Sequence, residues 1–260
     1  MFSFFRERVQ KETIEPAAVY TENFDDVAMV AEYFYKETGI TFEKQMSILK
    51  SKVSSFCRQR KISSFETLLR DIQIDTSLKQ ELIDYLTTNE TFFYRESKQI
   101  QELVSLVKQK NSSNTTILCA PCATGEEPYS IAIALLESGV EASHFHIVGI
   151  DINADAITKA KKAVYKERNI RNLTSEILHK YFTVENKHYI LKENVKSLIS
   201  FKIVNIFDKS FQKLGKFDFV FSRNMLIYFD KETKQRAKNI LESMRKDETH
   251  DVFFGHADLF

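Results

Sequence analysis

From residue 115 onward the chain repeats one rhythm, a short apolar run followed by an amphipathic stretch of helical period. TTILCA, HFHIVGID, FDFVFSRN and DVFFGH are the apolar runs; EEPYSIAIALLES, ADAITKAKKAVY and KETKQRAKNILESM are the stretches between. Strands separated by helices pair through crossovers rather than hairpins, so the pattern predicts βαβ units and a mostly parallel sheet. Residues 182–206, FTVENKHYILKENVKSLISFKIVNI, break the rhythm with period-two segments and a turn signal at Glu193 and Asn194. An antiparallel strand pair inserted into the parallel domain is expected there.

The first 110 residues have helical periodicity instead. FDDVAMVAEYFYKETG closes on Gly39, and QMSILKSKVSSFCRQRK, SSFETLLRDI and SLKQELIDYL follow. A polar connector, KQKNSSNTT, separates the halves. The expected division is an extension at 1–24, a small all-α domain at 25–86, a linker helix at 87–114 and an α/β domain at 115–260, with the insertion at about 182–204. Composition agrees: 22 phenylalanines against six glycines and three prolines disfavour disorder and turn-rich all-β folds. With 37 basic and 36 acidic side chains, no global field favours nucleic acid or an anionic membrane. Three cysteines, no secretory-type start and no apolar run of membrane-spanning length point to the cytoplasm.

The stretch 117–130, ILCAPCATGEEPYS, admits several chemistries. Structural zinc needs four ligands, and the third cysteine, Cys57, lies far upstream among helical residues, so no metal is expected. A thioredoxin-like pair belongs at a helix start, whereas Cys119 ends the strand and Pro128 falls in the first helical turn. Cys119 and Cys122 also suit the role of small buried hydrophobes. A further reading is a cofactor loop in which Gly125 permits close approach. Asp151, 25 residues after Glu126, then ends the second strand, where a carboxylate accepts hydrogen bonds from a ribose diol. Without GxGxxG there is little cradle for a pyrophosphate, which favours a nucleoside lacking phosphates, such as S-adenosylmethionine.

LTTNETFFYRE (86–96), CATGEEPYSIAIAL (122–135), VGIDIN (148–153), VNIF (204–207) and FDFVFSRNMLIYFD (217–230) together, in this order, resemble the chemotaxis receptor glutamate methyltransferases, the CheR family. That resemblance implies a class I, Rossmann-like methyltransferase domain with an inserted antiparallel subdomain, preceded by a small helical domain. It also implies S-adenosylmethionine as cofactor, S-adenosylhomocysteine as product, and cytoplasmic chemoreceptor domains as partners. Neither nucleic acid nor membrane insertion is implied, and recruitment to receptor arrays is a further expectation. By the same resemblance Asn89, Thr91 and Arg95 line the cofactor site from the linker side. Glu126 and Asp151 lie along the methionine and ribose, Asn205 and Ile206 beside adenine, and Arg223 with Asn224 near the reacting end. Arg95 and Tyr228 are the implied catalytic pair, orienting an acceptor carboxylate that is already ionised and needs no general base.

Local readings of the same residues stay open: Thr87 with Glu90 as a capping box, Tyr228 and Phe229 as core aromatics, Arg223 as a surface charge. Receptor contact is expected from Lys50, Lys52, Arg58 and Lys61, of which Lys50 and Lys61 share one helical face with Ser54. The chain departs from the family pattern at Pro121, which replaces a customary glycine and removes an amide donor. It also ends at GHADLF, short of the stretch that completes a final antiparallel strand in the family, so an incomplete sheet edge is expected. Two rivals share this fold: a non-catalytic module that senses S-adenosylmethionine, and a methyltransferase for a small molecule.

Overall fold

The computed structural model describes residues 22–110 and 112–258; residues 1–21, most of the expected extension, lie outside them. Helices α1 (Ala28–Thr38), α2 (Met46–Gln59), α3 (Phe65–Ile74) and α4 (Thr76–Leu86) form the N-terminal unit. Their boundaries follow from local chemistry. Gly39 ends α1 in the left-handed conformation at φ 75°. Ser64 accepts a hydrogen bond from Thr67 N at 3.1 Å, and Asp75 accepts from the amides of Ser77 and Leu78, capping α3 and α4. Phe34, Leu49, Val53, Phe56, Phe65 and Leu68 meet in a separate core.

Ser54 is buried in α2 beside that core, so Lys50 and Lys61 do not share a continuous solvated stripe with it. Charged positions alone left the inward face of this helix undetermined; Leu49, Val53 and Phe56 define it. The capping-box reading of Thr87 also gives way. Thr87 lies at the end of α4, its hydroxyl donating to Ile83 O at 2.8 Å, and residues 88–96 cross to the next unit without helix. Helix α5 (Ser97–Lys110) follows this strap.

Next come β1 (Thr115–Cys119), α6 (Glu126–Glu137), β2 (Phe145–Asp151), α7 (Ala154–Lys162), β3 (Val164–Tyr165), β4 (Phe182–Glu185), β5 (His188–Leu191), β6 (Ile199–Ile203), β7 (Phe219–Ser222) and β8 (Phe253–Phe254). Among the described residues the main sheet has order β6-β2-β1-β7-β8, every pairing parallel, with Leu118 in register with Val148 and Val220. A second, antiparallel sheet has order β3-β5-β4. The insertion therefore differs from expectation in extent. Its hairpin turns at Asn186 and Lys187, both at positive φ, whereas Glu193–Lys196 is a short helix and β6 belongs to the parallel sheet. As an edge strand, β6 buries Ile199 and Phe201 and turns Lys202 out, which imitates the alternation of an antiparallel strand.

The two units are joined by specific contacts. Asn205 Nδ2 donates to Glu37 O at 2.7 Å, and the hydroxyls of Tyr35 and Thr233 lie 3.1 Å apart. A Cβ on Gly39 would come within 2.6 Å of the Phe207 ring, so only glycine allows this approach. Among the described residues no helix is long and apolar enough to cross a membrane.

Candidate functional site

A cleft of about 1630 Å³ opens beyond the carboxyl ends of β1, β2 and β7, walled on its far side by the strap and the N-terminal unit. Its floor is the β1–α6 turn, which contains a cis Ala120–Pro121 peptide. Cys122 N donates to Ile150 O at 2.7 Å and ties that turn to β2. Asp151, only 4% exposed, accepts from Ala123 N and Asn153 N, each at 2.9 Å. Burial pushes its carboxyl up to about 6 despite those amides. Gly125 has a different role from the expected ligand approach. It sits at φ 93°, and a Cβ there would lie 3.0 Å from the Ala160 Cβ and the Tyr129 ring, so glycine lets α6 begin against α7.

The adjacent glutamates of α6 differ sharply. Glu126 is fully buried, and each of its oxygens has a protein donor: Asn169 Nδ2 at 2.8 Å on one, Thr124 Oγ1 at 2.6 Å on the other. Burial raises its pKa. Glu127 forms an ion pair with Arg223 through one oxygen, while its other oxygen, Oε1, is buried in the cleft wall without a partner. Arg223 is thereby not a surface charge: its Nε and Nη1 are committed inside the cleft wall. Its side chain is 3% exposed and also donates to Arg95 O at 2.7 Å, holding the strap. Burial opposes its charge, but Glu127 outweighs this and keeps its pKa above the ordinary value.

The loop after β7 carries Asn224 at φ 59° and presents Tyr228, 37% exposed, at the cleft mouth. Asp258, from the last described turn, clamps this loop. Its buried carboxylate accepts from the amides of Asn224, Leu226 and Gly255. Burial raises its pKa. A Cβ on Gly255 would stand 2.9 Å from Asn224 N, so the close passage requires glycine.

Asn89, Thr91 and Arg95 on the strap, and Glu126, Asp151, Asn205, Ile206, Arg223 and Asn224, all line the same cleft as Tyr228. Asn205 spends both side-chain polar atoms internally, on Glu37 O and Phe207 N. Of Lys50, Lys52, Arg58 and Lys61, only Lys52 borders the cleft. Lys50 reaches Asp25 O, and Arg58 pairs with Glu22. Glu127 and Asp258 were missed from sequence. The second glutamate of GEEP was a visible signal, whereas nothing local marks Asp258 as the partner of a loop some 30 residues upstream. Cys119 and Cys122 are buried with pKa values well above ordinary, raised chiefly by burial. Among the described residues no cluster of three or more histidine, cysteine or acidic side chains could hold a metal.

The residues present fit S-adenosylmethionine. An orphaned buried carboxylate oxygen suits its ammonium group, and a carboxylate at the end of β2 suits its ribose.

Residues 89–260 match the family described as CheR methyltransferase, SAM binding domain, and residues 25–87 match CheR methyltransferase, all-alpha domain. The chain is 34% identical over 223 residues to a chemotaxis protein methyltransferase of Campylobacter jejuni, covering 85% of this chain and 84% of that protein. It is 29% identical over 249 residues to one of Borreliella burgdorferi, with 90% and 88% coverage. Chemotaxis protein methyltransferase 2 of Vibrio cholerae is 31% identical over 247 residues, with 90% and 85% coverage. The fold is that of the class I methyltransferases, with the small antiparallel sheet inserted and the all-α unit in front. Two family matches that leave almost nothing between residues 25 and 260 unassigned, and a cleft suited to the cofactor, make this chain an S-adenosylmethionine-dependent member of the CheR methyltransferase family.

Proposed function

We propose that the protein methylates glutamate side chains of chemoreceptor cytoplasmic domains, acting in the cytoplasm at receptor arrays. The observation that carries this reading is the character of the cleft mouth. Tyr228 and the Arg95 side chain stand there together, with Arg168 and Arg171 on the side of the small sheet. Among the acids of the wall, Glu126, Glu127, Asp151 and Asp258 are buried, Asp230 caps at Thr233 N and Asp155 pairs with Lys159, so that exposed Glu43 and Glu90 are outnumbered by the basic side chains Lys44, Lys52, Arg95, Arg168 and Arg171. An anionic acceptor is therefore met by cationic groups.

When bound, S-adenosylmethionine supplies a sulfonium methyl group that passes to an acceptor oxygen, leaving S-adenosylhomocysteine. Glu127 Oε1 would hold the ammonium end, Asp151 the ribose, and Ile206 with Asn205 the adenine edge, while Asn89 and Thr91 would cover the site from the strap. Arg95 and Tyr228 orient the acceptor carboxylate by charge-assisted hydrogen bonds. A glutamate is ionised at neutral pH, so no proton has to be removed. Because the acceptor loses its charge on esterification, a cleft drier than water would favour the change. Position, rather than acid–base chemistry, is what these residues contribute.

The decisive experiment is transfer of labelled methyl groups from S-adenosylmethionine to chemoreceptor-containing membranes, scored as methanol released by alkali. Base-labile label on a receptor band is the expected result. Absence of label from a preparation that still binds S-adenosylhomocysteine would overturn the proposal.

A further inference from the structure

The cleft mouth is bounded by helix faces from opposite ends of the sequence. On one side Ile48 and Lys52, four residues apart on α2, follow Lys44. On the other side stand Lys231, Lys234 and Lys238 of the helix Lys231–Glu242, whose Thr233, Ala237 and Leu241 are buried. The spacings of three and four place these lysines on one stripe. Asp230, just before them, is committed to Thr233 N at 2.8 Å. Glu242, one turn past Lys238 on the same face, ends the stripe and lies off the cleft. Between the two helices large apolar groups are left in water: Ile48 is 53% exposed and Ile227 44%. Lys44 and Lys52, with exposed Glu43 beside them, stand on one side and the three-lysine stripe on the other, and between them lie apolar side chains and the exposed Tyr228, a surface whose net positive character has a definite complement.

We infer that the Lys231–Lys238 face is a second docking rail, which grips an acidic helical segment of the methyl acceptor on the side opposite α2. This rests on the glutamate-methylation reading above. An acceptor side chain entering at Tyr228 from a helix leaves that helix, about 10 Å across, lying over the mouth. Its flanks then face both rails. Acidic side chains one turn before and after the acceptor recur at the same spacing of three or four residues as Lys231, Lys234 and Lys238, so several opposite charges meet at once. Such pairs at a rim act on encounter and orientation more than on the chemical step. The α2 stripe alone would leave the segment free to roll about its axis. A rail on each side fixes which face, and so which glutamate, points inward.

The test uses the full chain and a soluble acidic chemoreceptor fragment that contains the methylated helices. The variants are K231E/K238E on the new rail and K52E on the old one, with S-adenosylhomocysteine affinity measured by calorimetry in each. The expected result for K231E/K238E is a fall of tenfold or more in kcat/KM for the fragment, carried by KM, with cofactor affinity unchanged. The unaltered protein's rate should decline steeply with salt, and that of K231E/K238E should not. Replacing the acidic residues one turn either side of the acceptor by lysine should restore part of the loss. Unchanged kcat/KM in K231E/K238E, where the unaltered protein methylates the fragment, overturns the rail while leaving the function intact. If the unaltered protein makes no ester, that reading fails by itself, and anisotropy of the labelled fragment decides the rail. Absent binding, or binding indifferent to K231E/K238E, overturns it.

Discussion

Glu127 and Arg223 meet in a buried ion pair at the wall of the cleft, and the pair leaves one carboxylate oxygen of Glu127 without a donor. A buried, partly unsatisfied carboxylate is costly unless something donates to it. An ammonium-bearing cofactor would supply that donor. The neighbouring Glu126, with both oxygens occupied, braces the turn instead.

Glu127→Gln should accordingly weaken S-adenosylhomocysteine binding by about 1–3 kcal/mol, the scale of a hydrogen bond between charged groups. Methylthioadenosine lacks the amino-acid end and serves as the control. Calorimetry should find its affinity unchanged, and equal losses for both ligands would reassign Glu127 to a purely structural role. Because Arg223 loses its buried partner, the variant should also melt at a lower temperature.

Asp151 connects pH to binding. Its carboxyl lies near 6 in the fold against an ordinary 3.8, raised by burial. The fold thus favours the protonated form. The sign follows: this contribution to stability, about 3 kcal/mol, is fully present below pH 4 and is lost as pH rises through 6. A ribose hydroxyl donates best to the ionised group. S-adenosylhomocysteine affinity should therefore fall about tenfold between pH 7 and 5, and the profile of Asp151→Asn should be weaker and flat. An unaltered slope in that variant would move the titration to another group.

Tyr228→Phe should keep cofactor affinity within twofold and lower kcat about tenfold, because the proposed role of the hydroxyl at the mouth is to orient the acceptor. Single-turnover transfer separates the chemical step from product release. Normal turnover would remove the hydroxyl from the mechanism.

Asp258→Asn replaces an acceptor of three amides by a group that must turn an NH2 toward at least one of them. The loop that carries Asn224 and Tyr228 should loosen. A drop in kcat of about tenfold or more, with S-adenosylhomocysteine affinity within threefold, is the expected signature of a displaced acceptor side. Partial recovery in Asp258→Glu supports a positioning role; identical behaviour of both variants, with equal loss of cofactor binding, would indicate collapse of the site.

Much of this was legible in the chain itself. Strand–turn–helix alternation, the break at Gly39 and the carboxylate at the end of the second apolar run are local signals, produced by side-chain periodicity and backbone preference within a few residues. They determined the parallel sheet, the helical unit before it and the place of the cleft. Other features depend on residues distant in sequence. Glu126 and Glu127 are adjacent, yet successive helical positions point about 100° apart. Which one keeps a free oxygen is decided by Asn169 and Arg223, brought in by other elements. Period-two alternation in β6 was the same whether its partner ran parallel or antiparallel, and only pairing with β2 settled it. The α2 face offered to the cleft was ambiguous until the core claimed Val53, Ser54 and Phe56. Local sequence determines which conformation each segment prefers; side-chain partnership requires long-range closure, and its geometry exists only once the segments have packed.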